Sequence, residues 1–127
     1  MANRNLNRPF CYQKMLTLLT GVIPIASGGA VGTALGIGYS VVKTSPGLYT
    51  VTVEDQFPGV QGILTTLFET TLSALDVKGI LPYSSITTGK LGTFQLQIFN
   101  AAGSAADVGS ASEIHFQLNG KNTSVPR

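Results

Sequence analysis

Apolar and polar residues alternate one by one along much of the chain. Tyr49, Val51 and Val53 alternate with Thr50, Thr52 and Glu54. Phe94, Leu96 and Ile98 alternate with Gln95, Gln97 and Phe99, and Ile114, Phe116 and Leu118 with His115, Gln117 and Asn119. Successive side chains of a strand point to opposite faces, so each stretch has one face for a core and one for water. Half-buried antiparallel sheets carry this pattern. Ile37, Tyr39 and Val41 make a fourth such set. In Lys43 to Tyr49, Pro46 presets φ for a turn and Gly47 can take a positive φ, which predicts a hairpin that pairs the strands on either side.

Residues 15–26 predict another strand, bent at Gly21 and ended near Pro24. From Ile63 to Leu75 two periods compete. Leu64, Leu67, Phe68, Leu72 and Leu75 fit a helical stripe, while Leu64, Phe68 and Leu72 also fit one face of a strand. Thr65, Thr66, Thr70 and Thr71 are stiff at χ1 and favour the strand. Loops are expected at Ser27–Thr33, at Gln56–Gly62 with its Phe57-Pro58-Gly59 turn, and at Asn100–Ser112. The last is long for a hairpin connection, which fits either a functional surface or a tolerated insertion. No internal repeat of fixed period is visible. Seven or so short strands punctuated by Gly and Pro predict an all-β fold. The expected architecture is a β-sandwich or a jelly-roll-like, barrel-like antiparallel domain over 15–127, with an extended N-terminal arm over 1–14.

Composition sharpens this picture. Charged residues make up 11% of the 127 residues, against about 25% in an ordinary domain. With 43% hydrophobic residues, the chain has too much apolar content and too little charge for a disordered polyelectrolyte. It has no uninterrupted apolar run long enough for an ordinary transmembrane helix. The charge is also unevenly placed. Arg4, Arg8 and Lys14, with no acid among them, give residues 1–14 a charge of +3. The remaining five cations and six carboxylates leave the body at −1. With three Asn, two Arg and Pro9, the leader shows no helix or strand period. It reads as an incidental terminus, as a secretory signal whose apolar stretch is interrupted by Gly21 and Pro24, or as an arm ordered by docking.

Catalytic chemistry is sparse. The lone His115 falls on the polar face of its strand without partners for acid–base work. Gly36-Ile37-Gly38 lacks the third glycine and the following helix of a dinucleotide loop. Glu54 and Asp55 are neighbours on a strand and would point to opposite faces, so they would not readily share a metal. Cys11 is alone and has no base beside it. Asn122-Thr123-Ser124 fits a glycosylation sequon, which matters only in a eukaryotic secretory setting. Arg8, Phe10, Tyr12 and Lys14 mix basic and aromatic character, but three or so phosphate contacts give only weak, salt-sensitive nucleic-acid binding. These readings predict no enzyme activity, no cofactor, no metal, no nucleic-acid partner and no membrane partner.

Two stretches resemble the small structural proteins of tailed-bacteriophage heads, the capsid decoration or cement proteins. One is Gly38-Tyr39-Ser40-Val41-Val42 through Leu48-Tyr49-Thr50-Val51-Thr52-Val53 to Phe57-Pro58-Gly59. The other is Ile114-His115-Phe116-Gln117-Leu118-Asn119-Gly120-Lys121-Asn122-Thr123-Ser124-Val125. The small-residue loop Ala101 to Ser110 between them is similar to the loop of such proteins, and the likeness covers roughly 38–59 and 93–125. The resemblance implies a β-rich virion protein on the capsid surface, a homo-oligomer, usually a trimer, with the major capsid protein as partner. A head-fibre or tail-associated protein that touches the host, with loop 100–112 as its tip, is the alternative. The basic leader has no counterpart in that pattern. Its own chemistry suggests a capsid-binding arm in which Arg4, Arg8 and Lys14 pair with carboxylates while Leu6, Pro9, Phe10 and Tyr12 anchor it.

Overall fold

Among the described residues the chain forms seven antiparallel strands: β1 (Leu16–Ile25), β2 (Tyr39–Ser45), β3 (Leu48–Phe57), β4 (Gly59–Glu69), β5 (Asp76–Ile80), β6 (Leu91–Phe99) and β7 (Ser112–Lys121). The structure, a computed structural model, describes residues 16–57, 59–82 and 91–121. The strands make two sheets, β1-β7-β4 and β2-β3-β6-β5, so the fold is an all-β sandwich.

The predicted apolar faces meet between the sheets. Ile114, Phe116 and Leu118 of β7 are buried with Ile23 and Ile25 of β1 on one side, against Tyr49, Val51, Val53, Phe94, Leu96 and Ile98 on the other. Phe116 sits edge-on to both Tyr39 and Phe94, at centroid distances of 5.1 and 5.6 Å, an arrangement aromatic quadrupoles favour. The Tyr39 hydroxyl, carried into the interior, donates to the carbonyl of Leu35 and lies 3.4 Å from that of Val22. One side of the sandwich is closed where Thr65 Oγ1 donates to the Val77 carbonyl at 3.3 Å.

Several expectations need correcting. Tyr39 opens β2, but Ile37 is 89% exposed and outside the strand, because Gly36 and Gly38 on either side take positive φ. β1 ends at Ile25, beside Pro24 as expected, and its pairing with β7 runs through Gly21 and Pro24 without a register shift. Proline is tolerated there because β1 is an edge strand of its sheet. Residues 56, 57 and 59–62 belong to β3 and β4 rather than to a loop. β4 ends at Glu69, so Leu72 and Leu75 lie beyond the strand, and Leu72 is 88% exposed. Loop 100–111 is not a long hairpin. β6 and β7 belong to different sheets, and the loop carries the chain across the sandwich. β5 escaped the sequence pattern altogether; only Val77 of its five residues is buried.

Candidate functional site

Two features of the surface are built rather than incidental. The first is the outer face of the three-stranded sheet. β7 forms its floor, with Glu113, His115, Gln117 and Asn119 turned outward. The register sets Pro24, Glu113 and Phe68 in one row across the sheet, then Val22, His115 and Thr66, then Thr20, Gln117 and Leu64, then Leu18, Asn119 and Gly62. Along the free edge of β1 the chain doubles back. Val22 and Leu35 exchange backbone hydrogen bonds of 3.0 and 2.8 Å, and Gly32 N–H donates to the Pro24 carbonyl at 2.8 Å. This added segment raises a wall on that side, with Leu35 and Gly36 at its rim, while Leu64 and Thr66 of β4 wall the other.

The result is an open trough in two parts along β7, of about 560 Å³ over Gln117 and His115 and about 520 Å³ between Glu113 and the Ala26–Gly32 turn. Its apolar side chains are wet: Leu64 is 62% exposed, Phe68 52%, Leu35 57% and Leu18 53%. Single exposed apolar residues are ordinary, but a contiguous set rimmed by polar groups marks a contact surface. Its polar positions are mostly Thr, Gln and Asn. The charged groups among its described lining residues are Glu69, Glu113 and His115. Glu113 Oε1 lies 3.0 Å from His115 Nε2, and the imidazole packs on Phe68 with ring centroids 4.3 Å apart. Glu69 is held at the end of β4, accepting from Ser73 N–H and Oγ at 3.0 and 2.7 Å.

The second feature is a clamp between loops at one end of the sandwich. Asp107, in the crossover loop, accepts from Lys43 Nζ at 3.0 Å and from Gly47 N–H at 2.9 Å. Burial alone would raise the Asp107 pKa, but the Lys43 hydrogen bond, the Gly47 N–H and the Lys43 charge together hold it below the ordinary value. The buried Tyr49 hydroxyl donates to the Gly29 carbonyl at 2.9 Å. Burial, assisted by the Asp107 charge, pushes its pKa up to about 12. Gly28 N–H donates to Val108 O at 2.9 Å and Ser27 Oγ to Gly109 O at 3.0 Å, so loop 26–30 and loop 106–109 are stitched together. The clamp's donors and acceptors satisfy one another. It is a structural element.

His115 lies on the polar face, as its parity predicts. Among the described residues, no group of three His, Cys, Asp or Glu side chains could hold a metal ion. Arg4, Leu6, Arg8, Pro9, Phe10, Tyr12 and Lys14 lie outside the described residues, as do Cys11 and Asn122-Thr123-Ser124. The trough itself was missed by sequence reasoning, although a signal for it exists. Ile63, Leu64, Leu67 and Phe68 make β4 apolar on both faces, and a strand at the surface of a sandwich needs only one apolar face for the core.

No family model matches the sequence and no curated relative is similar to it. A solved structure, that of the phiAB6 tailspike in complex with three-repeated oligosaccharides of Acinetobacter baumannii surface polysaccharide, shows 12% identity and a TM-score of 0.43. The similarity covers 84% of this chain and 20% of the tailspike chain.

Proposed function

We propose that this chain is a virion structural protein of a tailed bacteriophage: a decoration, or cement, protein that binds the outside of the capsid and stabilises the lattice by bridging neighbouring capsomers. The observation that carries the reading is the trough. It is a preformed, largely neutral surface with Leu64 and Phe68 about half exposed, and covering it with protein desolvates little charge. Completing the burial of those two side chains contributes about 1 kcal/mol each. The β-strand resemblance over 38–59 and 93–125 supports the same reading. The low charge of the body fits a protein that packs closely against neighbours, where burying unpaired charge is costly.

The test is addition of purified protein to expanded, undecorated heads. Saturable binding that raises the melting temperature and rupture resistance of the heads supports cementing. Absence of binding, or binding that leaves both unchanged, refutes it.

A further inference from the structure

We propose that the trough is filled by the basic leader of a second copy, residues 4–14, laid along β7 as an extended segment. This rests on the reading of the trough as a protein contact and names its occupant. It gives the leader a copy-to-copy role in place of direct contact with the capsid, so that cement copies on neighbouring capsomers are tied to one another.

Size is the first argument. Three strands about 4.8 Å apart and about ten residues long present a strip of roughly 14 by 33 Å. Its projected area, roughly 450 Å², is well below the ~800 Å² per partner of a stable interface between two globular bodies. An extended segment suits it better. Eleven residues at about 3.3 Å each span roughly 36 Å, the length of the strip.

Charge is the second. The described ionisable groups lining the trough are two carboxylates, Glu69 and Glu113, and one imidazole, His115. The leader carries Arg4, Arg8 and Lys14 and no acid.

Pattern is the third. Counting basic and apolar residues together reveals a parity that the apolar residues alone do not show. Arg4, Leu6, Arg8, Phe10, Tyr12 and Lys14 all fall on even positions, with Asn5, Asn7, Pro9, Cys11 and Gln13 between them. In extended backbone those even positions share one face, spaced about 6.7 Å apart, which is also the spacing of outward residues along β7. With Arg8 beside Glu113, Phe10 falls on the His115 row and Tyr12 on the Gln117–Leu64 row.

The sequence also argues that the segment comes from another copy. β1 begins at Leu16 at the Asn119 end of the trough. To enter its own trough the leader would have to reverse within Gln13-Lys14-Met15-Leu16, which contains none of the Gly, Pro, Asn, Asp or Ser residues that tight turns use.

Charge reversal in the full-length chain tests this, with self-association measured by sedimentation in low salt. Arg8→Glu and Glu113→Arg should each weaken association roughly tenfold by replacing attraction with repulsion. An equimolar mixture of the two variants should associate like the wild type, because each leader then meets a trough of opposite charge on the other chain. Thermal melts report folding, and Glu113→Gln, a near-isosteric change, should show a smaller loss in the same direction. A wild-type chain that stays monomeric, or single variants that associate normally, overturns the proposal. So does rescue by the double variant without rescue by the mixture, which would place the leader in its own trough. If the single variants self-associate normally but no longer add to heads, the capsid is the occupant: this proposal falls and the cement reading stands. If neither association nor head addition changes, this proposal falls and the cement reading stands.

Discussion

Asp107 and Lys43 meet at 3.0 Å across two segments far apart in sequence, and the same carboxylate oxygen accepts the Gly47 N–H at 2.9 Å. One side chain therefore ties the crossover loop both to β2 and to the β2–β3 turn. Hydrogen bonds to a charged acceptor contribute more than neutral ones, and partial exposure of the pair discounts the value. Asp107→Asn should lower unfolding free energy by about 1 kcal/mol at neutral pH. The sign with pH follows from the lowered pKa of Asp107. Its contribution is complete above the ordinary aspartate range and disappears as pH falls through the depressed folded-state value. Urea denaturation of wild type and variant should therefore converge below about pH 3; a difference that persists there would show that the carboxylate charge is not what holds the loop.

Tyr49 makes the opposite prediction at alkaline pH. Its folded-state pKa, raised to about 12, lies above that of an unfolded tyrosine near 10. The folded state holds the proton more tightly, so this stability is present below pH ~10 and is lost as pH rises toward ~12. Tyr49→Phe should remove most of that alkaline loss, while costing about 1–2 kcal/mol at neutral pH by orphaning the Gly29 carbonyl. Ultraviolet titration of the phenolates should show a tyrosine that titrates near 12, absent in the variant. A wild-type chain in which every tyrosine titrates near 10 contradicts the buried hydroxyl.

Glycine positions separate close approach from mere flexibility. Gly47 has φ of 73°, and a Cβ there would stand 2.6 Å from Ala106 O and 2.8 Å from Ile98 O. Both neighbours are backbone and cannot rotate away, so Gly47→Ala should cost about 2–3 kcal/mol through strain and overlap. Gly92 is the control, with no atom within 4 Å of its Cβ position. Gly92→Ala should change stability by no more than about 0.5 kcal/mol. Equal melting temperatures for the two variants would contradict the packing of the β2–β3 turn against the crossover loop.

Legibility of this fold divides along physical lines. Tyr49, Val51 and Val53, with Phe94, Leu96, Ile98, Ile114, Phe116 and Leu118, could be placed in the core because a single strand face decides each of them. Pairing between distant strands cannot be read that way: β6 and β7 have the same alternation, and nothing local says that they occupy different sheets. β5 was invisible because Asp76, Lys78 and Gly79 dilute the apolar signal to Val77 and Ile80. In β4 the period identified the faces but not which faces inward. Leu64 and Phe68 were grouped correctly, yet the core takes Ile63, Thr65 and Leu67. The partnership of Asp107 with Lys43 depends on the completed sandwich, so neither local sequence announces it.

That inversion in β4 gives the sharpest test of the trough. Leu64 and Phe68 are exposed apolar residues whose replacement removes little core packing, so Leu64→Asp and Phe68→Asp should shift stability by less than about 1 kcal/mol. Each would, however, place a carboxylate where a docked protein must exclude water, next to Thr20 and Gln117 in one case and Glu113 in the other. An unpaired charge buried at an interface costs several kcal/mol, so either variant should reduce addition to expanded heads at least about a hundredfold. Val42 supplies the comparison. It is 65% exposed on β2, in the other sheet, and Val42→Asp introduces the same charge away from the trough. Head binding that survives Leu64→Asp and Phe68→Asp but is lost with Val42→Asp would move the docking surface to the four-stranded sheet. The reverse pattern, with all three variants folded, places on β1-β7-β4 the contact that head addition needs, whether to the capsid or between copies.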